Sequence, residues 1–378
     1  MLLKKILVFP FDLMSHYTRC VVLAEKFYSS ESEVLFQHSS RYAALVEKHG
    51  FKSFDCENFD ADYVMQCAAD FDFSWLNERD IERIFLSQVK AIELHQPDLI
   101  IGDTSPTLKM AAEKTGVRHV ALTNGYMTRH YAHVRKISRT HVAYKYIRRL
   151  PQRLGDAITQ AAESVAFKNV HAPFRRLRKK YHLKLVDNYL EELEGNENLI
   201  CDLPELFPQK NLPDNFRFIG PLVYQRDDLP KAQFSSTSER SPSDKPNIIV
   251  CLGSTGDWNA LTFLNDGSFS DYHIVTAGDT NLVLNAAHIH AYNFIDLSHA
   301  AANANLMICH GGNGTLYHGL LNDVFMLCVT NNFEQEWNTH ALERIGMGRN
   351  VTGHQGNWKS LIENALKAAV QRVGSMLD

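Results

Sequence analysis

Cysteine is scarce in this chain of 378 residues: there are seven, an odd number, with no Cys-x-x-Cys spacing. That excludes a disulfide framework and a paired-cysteine zinc site. Several cysteines sit inside apolar runs such as "IIVCLG" and "LMICHGG". They read as buried free thiols in a reducing compartment, so a cytoplasmic location is expected. An apolar run of about 18 residues, the length of a membrane span, is also missing. The start, "MLLKKILVFP", carries two lysines within a short apolar run and reads as a first strand, not a signal peptide. Charge of one sign is not in surplus: 39 Lys and Arg face 43 Asp and Glu, for a net charge of -4. Nothing in that balance suggests a nucleic-acid binder. Neither the Walker P-loop spacing nor G-x-G-x-x-G occurs, which disfavours nucleotide hydrolysis and dinucleotide binding.

What is present is a 45% hydrophobic chain, enough for two domains with their own cores. Apolar runs alternate with longer amphipathic stretches. "KILVFPF", "EVLFQ", "PDLIIGDT" and "HVALTN" are separated by helical patterns such as "TRCVVLAEKFYSS" and "PTLKMAAEKTG". The alternation restarts with "PNIIVCLG", "YHIVTAG", "AYNFIDL", "NLMICHGG" and "VFMLCVT". Strand–helix–strand alternation predicts parallel sheets covered by helices. Between the halves lies "FSSTSERSPSDKP", rich in Ser, Pro and charge, which is linker composition. The expected organisation is α/β: residues 1–233, a linker at 234–246, and residues 247–378, each half a doubly wound domain.

From Lys114 to Gly155 there is no acidic residue, while Lys and Arg recur. "RHYAHVRKISRTHVAYKYIRR" and "FRRLRKK" are the densest parts, with Tyr131, Tyr144, Tyr146, Phe174 and Tyr181 interleaved. This is either a solvated helical face or a basic surface for an anionic membrane or acidic acceptor. His288 and His290 share one side of an extended segment, but no third metal ligand accompanies them. No metal or other cofactor is expected.

The most informative stretch is "MICHGGNGTLYHGLL", residues 307–321. In open α/β sheets ligands bind beyond the carboxyl ends of strands, where a helix N-terminus offers unpaired N–H groups to an anion. Glycine allows close backbone approach, Thr315 adds a hydroxyl, and His310 can donate a hydrogen bond to a phosphate oxygen. The motif reads as a diphosphate cradle built on His310, Gly312, Asn313, Gly314 and Thr315.

"HGGNGTLYHGLLNDVFMLCVTNNFEQEWNTHALERIGMG" resembles the donor-binding signature of the UDP-glycosyltransferase-like enzymes of family 1 type, which have the GT-B fold. "FRFIGPL", "IIVCLGSTGDW" and "YNFIDL" precede it in the order that the family has them. The resemblance implies two Rossmann-like domains facing a cleft, with the acceptor bound by the first and a nucleotide sugar by the second. It also implies that the last helix packs back on the first domain. By the same resemblance Gly253, Ser254 and Thr255 face the diphosphate, Phe294 and Ile295 the nucleobase, and Glu334 and Gln335 the donor sugar. Asn338 falls on a family asparagine. His318 stands where the family keeps a ribose-binding Glu, which leaves UDP and dTDP both open.

Transfer of a sugar to a hydroxyl needs a base for that hydroxyl. A histidine oriented by a carboxylate serves, as in triad chemistry. In "FPFDLMSHYTRCVVLAEKF", His16 has the family's spacing to Leu23 and Ala24. Ser15 replaces the usual Gly, and Arg19 stands at the proline position. Asp103 follows "PDLIIG", where the family has its histidine-orienting Asp. The implied activity is inverting transfer from a UDP- or dTDP-sugar to a hydroxyl of a natural product, glycan or lipid-linked acceptor, the last of these met peripherally at a membrane surface. A same-fold epimerase or hydrolase, and a non-catalytic nucleotide-sugar-binding partner protein, are the alternatives.

Overall fold

The computed structural model describes residues 4–27, 32–69, 72–139, 141–226, 228–232, 234, 245–253, 256–278 and 283–375. The chain divides into two compact units, Met1–Tyr224 and Gln225–Asp378. The division falls earlier than the expected 233. Pro230 accepts a hydrogen bond from the Asp296 N–H at 3.0 Å, and the Phe234 ring lies 5.5 Å from that of His273. These contacts tie the segment to the second unit. Residues 235–244 of the expected linker lie outside the described residues.

The first unit holds seven strands: β1 (Lys4–Pro10), β2 (Ser32–Gln37), β3 (Lys52–Phe54), β4 (Leu99–Asp103), β5 (Arg118–Thr123), β6 (Glu197–Ile200) and β7 (Phe216–Phe218). They lie in the order β3-β2-β1-β4-β5-β6-β7, all parallel. Their apolar runs are continuous because both faces are covered. Leu7 and Phe9 enter one core cluster with Ile100 and the helix Glu78–His95. Ile6 and Val8 enter the other with Ile101 and the helix Met14–Phe27.

The second unit holds six strands: β8 (Asn247–Cys251), β9 (His273–Ala277), β10 (Ile289–Tyr292), β11 (Leu306–Cys309), β12 (Met326–Cys328) and β13 (Gly348–Asn350). Their order is β10-β9-β8-β11-β12-β13, again all parallel. The last helix, Trp358–Ser375, buries Ile362 and Ala365 in this unit's own core, beside Val250 and Ile308.

Each strand order reverses once, between β1 and β4 in the first sheet and between β8 and β11 in the second. Such switch points open a crevice at the carboxyl ends of the strands. The register pairs Pro10 with Asp103 at one of them and Cys251 with Cys309 at the other.

Candidate active site

In the first unit β1 ends at Pro10 and the helix carrying His16 starts at Met14. The Phe11 N–H donates to the Asp103 carbonyl at 3.1 Å, so the turn is pinned to the end of β4. His16 Nδ1 then lies 3.0 Å from Asp103 Oδ1. Asp103 is fully buried, and the His16 side chain is 15% exposed. The Phe11 ring packs at 5.8 Å from the imidazole, and Phe59 and Trp75 extend the aromatic wall. Thr104, directly after Asp103, adopts φ +50°, an unusual strain for a β-branched residue.

Arg19 is the group that sequence reasoning missed. One helical turn beyond His16, its Nε and Nη2 both donate to the Asp103 carboxylate. Nη1 donates to Asn124 Oδ1 at 2.8 Å, and Nη2 lies 3.1 Å from His16 Nδ1. Asn124 Nδ2 donates in turn to Asp202 Oδ2 at 3.3 Å. The network therefore runs along the carboxyl ends of β4, β5 and β6. Burial alone would raise the Asp103 carboxyl, but the Arg19 and His16 charges outweigh it and bring it down to about 2. Asp103 is thus an anion at any working pH. The available signal was the i, i+3 spacing of His16 and Arg19 on one helix face.

In the second unit the glycine loop joins β11 to the helix Asn313–Leu320. That helix starts at Gly312 with no side-chain cap, so its first-turn N–H groups are left for a ligand. His310 is held between two glycines. A Cβ on Gly253 (φ +61°) would lie 2.7 Å from its Cε1, and one on Gly312 would lie 2.3 Å from its Nε2. Gly311 takes φ +82°, and a Cβ there would meet the Gln335 carbonyl at 2.9 Å. Asn338, fully buried, donates to the Gly311 carbonyl at 2.9 Å. Beside Gly314 there is open space, and Thr315 neighbours the Cys251 thiol. His310 is buried, its Nδ1 has no hydrogen-bond partner among the described residues, and burial lowers its pKa to about 4. A neutral imidazole beside the uncapped helix start can donate to a phosphate oxygen.

His318 lies on the same helix, and its Nδ1 is 2.9 Å from Ser298 Oγ. Burial lowers its pKa to about 4 as well. Phe294 is 67% exposed whereas Ile295 is buried. The strand expected through both stops at Tyr292, because Asp296 caps the helix Leu297–Ala302 by accepting from the His299 N–H at 3.0 Å. Glu334 and Gln335 open the helix Phe333–Arg344. Gln335 is buried and accepts from the Asn331 N–H at 2.7 Å, while Glu334 is half-buried. Ser254 and Thr255 lie outside the described residues. His288 Nε2 lies 2.8 Å from the Leu264 carbonyl, and among the described residues no group of three His, Cys, Asp or Glu side chains could hold a metal ion.

Two parallel sheets, each with candidate ligand loops at its switch point, define the GT-B class. A model of the glycosyltransferase family 28 C-terminal domain matches residues 264–372. A PGL/p-HBAD biosynthesis glycosyltransferase of Mycobacterium tuberculosis (strain ATCC 25177 / H37Ra) is 26% identical over 341 residues, covering 89% of this chain and 77% of that one. Among solved structures, the glycotransferase of kitacinnamycin superimposes with a TM-score of 0.70 at 15% identity, covering 97% of this chain and 90% of that one. The glycosyltransferase VinC, solved in complex with dTDP, gives 0.63 at 16% identity, covering 98% and 94%. The chain is thus similar to glycosyltransferases along most of its length and shares the GT-B fold, with the family 28 match confined to the second unit.

Proposed function

We propose that this enzyme transfers a hexose from a nucleoside diphosphate sugar to a hydroxyl acceptor with inversion. His16 is the base, Asp103 its partner, and no metal takes part. The observation that carries this reading is His16 Nδ1 at 3.0 Å from the buried Asp103 carboxylate, at the switch point of the first sheet. The imidazole Nε2 accepts the acceptor's proton as its oxygen attacks the anomeric carbon. The carbon–oxygen bond to the diphosphate breaks as the new one forms, and the negative charge stays on the leaving diphosphate. The helix N-terminus at Gly312–Thr315 and His310 bind that charge in the second unit. Phe294 and Ile295 contact the base, and Glu334 the donor sugar, with Gln335 bracing the loop behind it.

dTDP is the better fitting nucleotide. The nitrogen that His318 turns to Ser298 is already engaged. Its ring therefore offers one polar atom where a carboxylate would hold two ribose hydroxyls. A deoxyribose needs one. VinC, a protein of the same fold, was solved with dTDP bound.

The hydroxyl acceptor is lipid-linked and met at an anionic membrane surface in the cytoplasm. Among the described residues no helix is long and apolar enough to cross a membrane. However, the helix Gln152–Val170 exposes Leu154, Ile158 and Val165 along one face. Its acids Asp156 and Glu163 are tied to Lys136 and Arg135, and Arg153 and Lys168 on the helix, with Arg148 and Arg149 just before it, are exposed. That combination suits an acidic interface.

The test is thermal stabilisation by dTDP, UDP, ADP and GDP titrated side by side, followed by release of dTDP from dTDP-sugars in the presence of EDTA. A shift largest with dTDP and metal-independent release that is lost in His16→Ala are expected. No shift with any of the four would refute the cradle. Unchanged release by His16→Ala would refute the base. Salt-insensitive or absent sedimentation with phosphatidylglycerol vesicles would refute the membrane surface.

A further inference from the structure

Asp103 is unusual for a carboxylate that orients a base, because it is already saturated by another partner. Arg19 holds both of its oxygens. Thr104 Oγ1 donates to Oδ1 at 3.2 Å, and Cys20 Sγ lies 3.8 Å from Oδ2. His16 Nδ1 is therefore shared between an acceptor at 3.0 Å and a guanidinium nitrogen at 3.1 Å. Resting on the proposal that His16 is the base, we infer that Arg19 is a positioning residue which sets when that base is free. It keeps Asp103 charged and in place, and it opposes protonation of the neighbouring imidazole.

The physical reason is the sign of the charge. A lone carboxylate beside a histidine stabilises the imidazolium, and an imidazolium cannot take a proton. Arg19 stays protonated at every working pH, and its Nη2 is in contact with the ring. An added proton on His16 would meet that cation in a pocket where Arg19 itself is buried. The other charged or titratable groups around the pair are few. Asp12 lies in the turn before the helix, and Cys20 is on the helix itself. Cys201 follows β6 at 3.6 Å from Arg19 Nη1. Tyr126 lies within electrostatic range of Arg19, and Asp202 of Cys201. Burial holds Cys20 and Cys201 as neutral thiols, so none of these replaces the Arg19 charge. Arg19 also reaches Asn124, which fixes the fork rigidly. Lysine could supply the charge but not the two-pronged contact.

The experiment titrates His16 by NMR in ¹⁵N-histidine-labelled protein and measures kcat/KM against pH, for wild type, Arg19→Gln and Arg19→Lys. Arg19→Gln is expected to raise both the His16 titration midpoint and the acidic limb of the profile. KM for the donor should stay unchanged, because Arg19 lies in the other unit from the cradle. Arg19→Lys should leave the midpoint near the wild-type value while lowering kcat. If Arg19→Gln does not fold, Asp103→Asn gives the converse reading: with Arg19 alone beside the ring, the midpoint should fall. An unmoved midpoint in either neutralising variant would overturn the proposal. A midpoint that moves while the pH profile does not would uphold the Arg19 effect on the ring and refute His16 as the base instead.

Discussion

Replacing Asp103 by Asn tests the electrostatics of the first site in a way that needs no substrate. Asp103 is fully buried against the Arg19 guanidinium, so the substitution leaves a buried cation without its anion. Breaking a buried pair in this way costs about 3–5 kcal/mol. The pH dependence is more diagnostic than the size. Burial, opposed by the Arg19 and His16 charges, leaves the Asp103 carboxyl lowered from 3.8 to about 2 in the folded state. A depressed carboxyl adds stability that is fully present above its unfolded value and is lost as pH falls through the folded one. Nearly two pH units correspond to about 2 kcal/mol. Wild type should therefore lose about 2 kcal/mol between pH 4 and pH 2 from this group, and the asparagine variant should lose none of it. The assay is urea denaturation at several pH values, with hydrogen exchange in β1 and β4 reporting the first unit's transition. A difference between the two proteins that stays constant from pH 7 to pH 2 would refute the charged pair.

The second site yields four expectations. Gly312→Ala places a Cβ 2.3 Å from His310 Nε2, so it should abolish stabilisation by dTDP while leaving the second unit folded by circular dichroism. His310→Ala removes one hydrogen bond to a charged group, worth about 1.5–3 kcal/mol, and should weaken dTDP by roughly 10- to 100-fold in calorimetry. Burial holds His310 near 4 in the free protein, and a bound phosphate should raise that value. Nucleotide binding should therefore take up a proton and tighten as pH falls toward 4, and pH-independent affinity would count against the contact. His318→Glu should shift preference from dTDP towards UDP, read as the ratio of their dissociation constants.

Much of the fold was legible because parallel strands buried on both faces appear as unbroken apolar runs. β1, β4, β8 and β11 could be read from "KILVF", "LIIGD", "NIIVC" and "LMIC". The short edge strands could not. β3 is "KSF" and β7 is "FRF", and three residues with exposed members carry no period to detect. "AYNFIDL" looked like a strand because it is a short, mostly apolar run with aromatic residues. The backbone leaves the sheet after Tyr292, and Asp296 is committed to a helix cap by its side chain and to the Pro230 carbonyl by its N–H.

The glycine loop and the His16–Asp103 pair were visible because each sits directly after a strand that the sequence announces, and a strand end is where an open sheet binds ligands. Arg19 was visible as a residue but not as a function. An arginine is ordinarily exposed, and nothing within its own helix shows that Asp103, Asn124 and Cys201 converge on it from three separate strand ends. Such convergence is a property of the sheet order, since only a chain that lays β4, β5 and β6 in succession beside β1 assembles the four groups. Asn338 belongs to the same class: it is remote in sequence from Gly311 and close to it only through the helix Phe333–Arg344. Strand patterning thus locates the two switch points. The side chains that tune them come from neighbouring strand ends and helices, whose order emerges only on folding.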